Sequence, residues 1–194
     1  MRRPNRRGFL LSGAALAAGG LAAPALALPD TVQMERRVGE AVQRNTMSFR
    51  TQDWRPHFDT LRNGAILVDI GSRALHLWME DGTHMLFPSS VPTSEELTRR
   101  GRTRVTKKVL GPSWAPTPNM RRRNPEWPAY VPPGPNNPLG THALHLSWTY
   151  YRIHGTHDPR KIGRRSSSGC IGLYNEHIAQ VFDRTRVGTQ VLII

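Results

Sequence analysis

Eleven of the 16 prolines of this chain fall between Pro88 and Pro138. Proline has no backbone N–H to donate and a fixed φ, so a stretch this rich in it cannot sustain long strand ladders or helices. Within it, only RVTKKV (Arg104–Val109) reads as a strand, and Met120–Asn124 as a single helical turn. Regular structure is therefore pushed to the flanks. A loop region of this size inside a compact domain is usually a functional one.

The upstream flank has a clear pattern. AILVDI (Ala65–Ile70) is a short, branched apolar run, Gly71-Ser72-Arg73 marks a turn, ALHLWM alternates large side chains, and Asp81-Gly82 precedes THMLF. This is the signature of a β-meander. His76 and His84 lie on its strands and are read as polar-face residues. Downstream, THALHLSW and YYRIHG read as strands. Asn175 is placed to cap a helix running to about Arg184, with Ile178, Val181 and Phe182 as its apolar face. Gly188 ends that unit, and Gln190–Ile194 is a closing strand. The expected fold class is mainly β, with one clear α-helix in the C-terminal half and long Pro-rich loops. Residues 63–194 form one domain. Residues 28–62 are polar and irregular, a linker or a strap, with a weak helical pattern over Thr31–Arg44.

The first residues are set apart. MRRPNRR is followed by an Ala- and Gly-rich run from Phe9 to about Leu28, and Ala25-Leu26-Ala27 is a small-residue cleavage signal. Residues 1–27 are expected to be an export signal. Asn5-Arg6-Arg7-Gly8-Phe9-Leu10 points to the twin-arginine route. Gly19, Gly20 and Pro24 make the run a poor membrane-spanning helix, so no stable span is expected after cleavage. The implied location is the periplasm or cell envelope. The chain of 194 residues carries a formal charge of +13. In an exported protein that charge suits anionic envelope polymers better than nucleic acid. Arg121-Arg122-Arg123 is read as a solvated turn.

Chemistry concentrates in IHGTHDPRKIGRRSSSGCIGLYN, Ile153–Asn175. It holds the single cysteine, Cys170. One cysteine cannot form an intramolecular disulfide, so the thiol is buried and inert, paired with another chain, or reactive. His154 follows a strand-like run, and Cys170 follows a Gly-bearing turn. Adjacent strand ends bring such residues together, and a neighbouring imidazole that takes the thiol proton makes a nucleophile. The Gly155 carbonyl can orient the imidazole through its other nitrogen. Gly169 lets backbone N–H groups, including that of Cys170, face a developing oxyanion.

The ordered set His154-Gly155-Thr156, Ile162-Gly163, Ser167-Ser168-Gly169-Cys170-Ile171 and Val187-Gly188-Thr189-x-Val191 resembles the YkuD-type L,D-transpeptidases of bacterial cell walls. The likeness spans about Gly64 to Ile194. It implies a YkuD-like β-sandwich, Cys170 as nucleophile and His154 as base, with Ser167, Ser168, Gly155 and Gly169 supporting the site. It also implies a peptidoglycan tetrapeptide stem as acyl donor, and an amine of a second stem or an envelope protein as acceptor. No cofactor or metal is implied. Two positions depart from the family pattern. Ser168 stands where histidine is usual, and Gly172 where arginine is usual, so guanidinium recognition is lost at that point. Arg160, Arg164 and Arg165 are the candidate substitutes, and Gly172→Arg is expected to raise turnover on ordinary stems.

Two other readings share these residues. One is a cysteine hydrolase, a carboxypeptidase or amidase on the same stems. The other is a non-catalytic envelope-binding protein, which has no need of a thiol–imidazole pair. A zinc hydrolase is disfavoured, because there is no His-Glu-x-x-His helix and no cysteine cluster. Trp127, Tyr130 and Trp148 are candidate groove residues or simple packing.

Overall fold

The structure is a computed structural model that describes residues 50–194. The expected export signal and the helical pattern over Thr31–Arg44 lie outside the described residues. The meander forms as three antiparallel strands, β1 (Ala65–Asp69), β2 (Ala74–Trp78) and β3 (His84–Pro88). Val91–Pro92 is a short β4. The ten-residue β5, Gly101–Leu110, is the longest strand and extends beyond the six residues legible in the sequence. Helix α1 (Pro118–Arg123) has proline at its start and Thr117 as its cap, whose hydroxyl accepts from the Met120 N–H. Then follow β6 (His142–Leu146), β7 (Arg152–His154), β8 (Arg165–Ser167), β9 (Ile171–Gly172), helix α2 (Asn175–Arg184) and β10 (Gln190–Ile193).

Eight strands make one curled sheet in the order β3-β2-β1-β10-β5-β6-β7-β9. The last strand, β10, inserts between the first and the fifth, parallel to β1 and antiparallel to β5. The sheet nearly closes on itself. Beyond β3 the chain turns to the far edge, where Ser90 and Gly172 exchange backbone hydrogen bonds at 2.8 and 3.1 Å. From there β4 continues parallel to β8. The concave side holds the main core, in which Ile66, Val68, Leu144, Ile153, Ile171 and Ile178 are fully buried.

The outer face of the meander is also covered. Phe58 and Leu61 are buried against Ala65, Leu67 and Trp78, with Trp54 packed at the edge. β1 and β2 are therefore apolar on both faces, as strands covered on both sides are. His76 is not on a solvated face. It is 1% exposed and clusters with Trp78 and His84, at ring separations of 5.4 and 5.3 Å, with those two rings 5.0 Å from each other. Burial, with the like charge of His84 second, holds its pKa at about 4.

The Pro-rich segment has a small core of its own, where Trp114, Trp127, Val131 and Leu139 pack together. Asn137 ties it down. Its buried amide nitrogen, with two N–H groups, lies within hydrogen-bond distance of the Pro112 and Pro132 carbonyls, both at 2.9 Å, and of the Val131 carbonyl at 3.1 Å, and its side-chain oxygen accepts from the Leu139 N–H. The prolines leave few backbone donors, and the side-chain amide supplies them to carbonyls such as those of Pro112 and Pro132.

Candidate active site

Pairing between β7 and β9 sets the geometry of the site. The two strands run parallel, with Ile153 beside Ile171 and His154 beside Gly172. Side chains alternate along a strand, so the buried Ile153 and Ile171 point into the core. Arg152 and His154 then share the opposite face of β7. Both line a groove of about 300 Å³ that also contains Cys170. One wall of the groove is the Pro-rich segment, through Trp114, Met120 and Leu139. The other is the turn Ser166–Cys170 with Leu97.

His154 is held by its own chain. Its Nδ1–H donates to the Gly155 carbonyl at 2.5 Å. A carbonyl only accepts, so the proton sits on Nδ1 and Nε2 keeps its lone pair. Burial holds the His154 pKa at about 4. The Gly155 carbonyl opposes that, and the charges of Arg152, Lys161 and His157 push it further down. The imidazole is neutral at any pH well above that value.

Gly155 is glycine for a packing reason. A Cβ there would lie 2.2 Å from Asn175 Oδ1. Asn175 is the first residue of α2 rather than its cap. Tyr174 takes the cap position without a side-chain bond. The Asn175 side chain instead turns toward the strand, where Oδ1 accepts from the Thr141 N–H at 3.2 Å. The expected cap is thus a brace between the helix start and the chain around His154.

Cys170 is half-buried at the end of a tight turn. Its Sγ–H donates to the Tyr150 carbonyl at 3.4 Å. Tyr150 holds φ at +65°, a left-handed conformation uncommon for a non-glycine residue and concentrated at functional positions. Burial pushes the thiol pKa above its ordinary value, while the charge of Arg152 and its backbone N–H pull it down. Around the thiol, Ser167 Oγ donates to the Cys170 carbonyl at 2.5 Å and accepts from the Gly169 N–H at 3.4 Å. Gly169 has φ +130°, which only glycine adopts freely. Ser168 lines the groove.

The three expected guanidinium substitutes lie elsewhere. Arg160 grips Asp158 through Nε and Nη2, at 2.7 and 3.1 Å. Arg165, on β8, donates to Glu95 at 3.2 Å. Arg164 is exposed, and none of the three is in the groove lining. The arginines that do line it are Arg123, at the end of α1, and Arg152, and the signal for Arg152 is the period of two in Arg152-Ile153-His154. Of the candidate groove aromatics, Trp127 is buried in the small core and Tyr130 is exposed. Trp148 packs under Arg99. Trp114, Tyr150 and Tyr151 take the groove positions instead. Among the described residues, no group of three or more His, Cys, Asp or Glu could hold a metal ion.

The family profile of the YkuD L,D-transpeptidase catalytic domain matches residues 63–193. The chain belongs to the YkuD family of L,D-transpeptidases. A Fuscovulum blasticum protein that carries the L,D-transpeptidase name, from the ATP synthase subunits region, is 51% identical over 192 residues, 98% of this chain and 97% of that protein. The Escherichia coli L,D-transpeptidase ErfK/SrfK is 41% identical over 142 residues, covering 70% of this chain and 45% of its own. This chain thus spans about half the length of that relative. An L,D-transpeptidase from Mycobacterium smegmatis superposes with a TM-score of 0.53 at 19% identity, over 68% of this chain and 58% of that one. This likeness shows the fold alone: a mainly β, curled-sheet YkuD domain. No helix among the described residues is long and apolar enough to cross a membrane.

Proposed function

We propose that this YkuD-family protein is a peptidoglycan L,D-transpeptidase that works through a Cys170 thioester. The observation carrying this reading is the tautomer of His154. With Nδ1–H committed to the Gly155 carbonyl, Nε2 is left as the free base of a residue that lines the same groove as the thiol.

The resting pair is neutral, because burial disfavours both the thiolate and the imidazolium. The chemistry follows from that state. Sγ attacks the carbonyl carbon of the L-centre in the donor stem while Nε2 takes the thiol proton. The new S–C bond pushes the carbonyl π electrons onto oxygen, beside the Cys170 N–H. Collapse breaks the C–N bond, and the departing D-alanine amine takes the proton from Nε2. The acceptor amine then attacks the thioester and gives its proton to Nε2, and the thiolate leaves and is reprotonated. His154 serves as base and then acid in each half, a role worth on the order of 10²–10⁴-fold. The acceptor is a second stem or an envelope protein, in the periplasm, reached after export through residues 1–27.

Incubation with tetrapeptide-bearing muropeptides, followed by mass spectrometry, tests this. The expected result is an acyl adduct on Cys170 and cross-linked dimers. Tripeptide without dimers would make the protein a hydrolase. If no adduct forms and Cys170→Ala binds muropeptides as the native chain does, the enzyme reading fails.

A further inference from the structure

We propose that Arg152 receives the terminal carboxylate of the donor stem, that of the D-amino acid which leaves. This rests on the transpeptidase reading above and names the residue that selects its donor.

Arg152 lies on β7 two residues before His154, on the same face, with the fully buried Ile153 between them. Its neighbour in the β6 register is His145. On the other side, parallel pairing with β9 carries the next row to Cys170. The guanidinium therefore stands on a strand of the main sheet, beside the nucleophile. Its Nε is buried and makes no hydrogen bond, and among the described residues its side chain has neither an ion pair nor a hydrogen bond. Nearby arginines differ in this respect. Arg160 holds Asp158, and Arg100 and Arg165 share Glu95. The acidic residue in the groove lining is Glu96, whose carboxyl is held below its ordinary pKa chiefly by the Ser94 side chain.

A half-buried guanidinium without an anion carries an uncompensated desolvation cost, and a carboxylate arriving in the groove removes it. The reaction presents such a carboxylate at the right place. In a terminal amino acid the carboxylate carbon is one Cα away from the scissile nitrogen, roughly 2.5 Å by standard bond lengths. A cation beside the attacking sulfur is thus within reach of it, in the paired geometry guanidinium favours. Position 172 cannot supply this contact as the chain stands. A Cβ on Gly172 would meet Ser90 Oγ at 2.3 Å. Arg123 also lines the groove, but from the end of α1 on the opposite wall.

The test separates binding from chemistry. Calorimetry on the Cys170→Ala protein compares a stem tetrapeptide ending in free D-alanine with the same peptide as its C-terminal carboxamide. The free acid should bind on the order of 30- to 100-fold more tightly. Arg152→Gln in that background should erase the difference by weakening only the acid, and Arg152→Lys should restore part of it. Turnover of the otherwise native Arg152→Gln protein should show the same selective loss in kcat/KM. Equal binding of acid and amide, or equal losses for both on Arg152→Gln, would overturn the assignment and leave the transpeptidase reading standing. The acid–amide comparison needs no Arg152 variant to fold. If neither peptide binds and the native protein forms no adduct, the transpeptidase reading fails, and this assignment with it.

Discussion

Gly172 lies on β9, the strand that follows Cys170, where the far edge of the sheet meets Ser90, and replacing it with alanine probes that junction. The added Cβ would lie 2.3 Å from Ser90 Oγ, yet 3.7 Å from Ser90 Cβ and 4.0 Å from His154 Cε1. The last two are ordinary contacts, so the whole conflict is with one hydroxyl. Ser90 is 3% exposed and its backbone is bonded to Gly172 in both directions. The hydroxyl can only rotate within a packed space, and the strand cannot retreat. Overpacking of this kind costs about 1–3 kcal/mol. For a domain of this size each kcal/mol lowers Tm by roughly 2–4 °C, so Gly172→Ala should melt about 2–12 °C below the parent. Ser90→Ala removes the offending atom and keeps the Cβ that is not in conflict. In that background the cost of Gly172→Ala should fall below about 0.5 kcal/mol, which leaves a coupling of about 1 kcal/mol or more in a double-mutant cycle by urea denaturation. If Gly172→Ala costs the same with and without the Ser90 hydroxyl, the steric account is wrong. By the same geometry, Gly172→Arg needs Ser90 to give way before a guanidinium can be of use.

Other outcomes follow from the same coordinates. The His76 pKa is held at about 4, against an ordinary 6.5 in the unfolded chain, so the unfolded state binds more protons between those values. Stability from this group is fully present above pH 6.5 and is lost as pH falls to 4, by about 3 kcal/mol; urea titrations across that range should show the loss, and His76→Phe should remove its share and leave that of His154, whose pKa is also held at about 4. Gly140→Ala should abolish stable folding, because at φ +61° its Cβ would lie 2.5 Å from the Thr156 nitrogen and 2.7 Å from the Gly155 carbonyl carbon, both main chain; circular dichroism and expression level report this. Gly82→Ala, at φ +85° with nothing within 4 Å, should cost only about 1 kcal/mol. The raised pKa of Cys170 predicts slow alkylation by iodoacetamide at neutral pH, with a rate that rises only beyond the usual thiol range; rapid modification at pH 7 contradicts a neutral resting pair.

What could be seen in the sequence was what local rules control. The meander, the closing strand and the span of α2 are matters of period and turn chemistry, and they stand where the pattern put them. His154 and Cys170 were visible because their neighbours are glycines and serines at fixed offsets. The misses are tertiary. Asn175 looks like a cap in one dimension, yet spends its side chain on Thr141 across the fold. His76 looks polar until Phe58 and Leu61 cover that side of the sheet. Their spacing with Trp54, at i, i+4 and i+7, was an apolar stripe hidden in a polar stretch. Arg152 is remote from the cysteine in sequence, unlike Arg160, Arg164 and Arg165. The strand period placed it beside the cysteine in space.

Ser90 and Gly172 are far apart along the chain, and joining them brings the far edge of the sheet against the chain that leaves β3. Such a pairing carries a high loop-closure cost and should form late in folding. Until it forms, β9 has only its contact with β7, and the turn that presents Cys170 lacks its second wall. The proposed site is thus complete only once this non-local pairing is made, so recovery of Cys170 acylation after dilution from urea should lag behind recovery of secondary structure. An immature chain would pass through the cell with its thiol present but without the geometry that makes it a nucleophile.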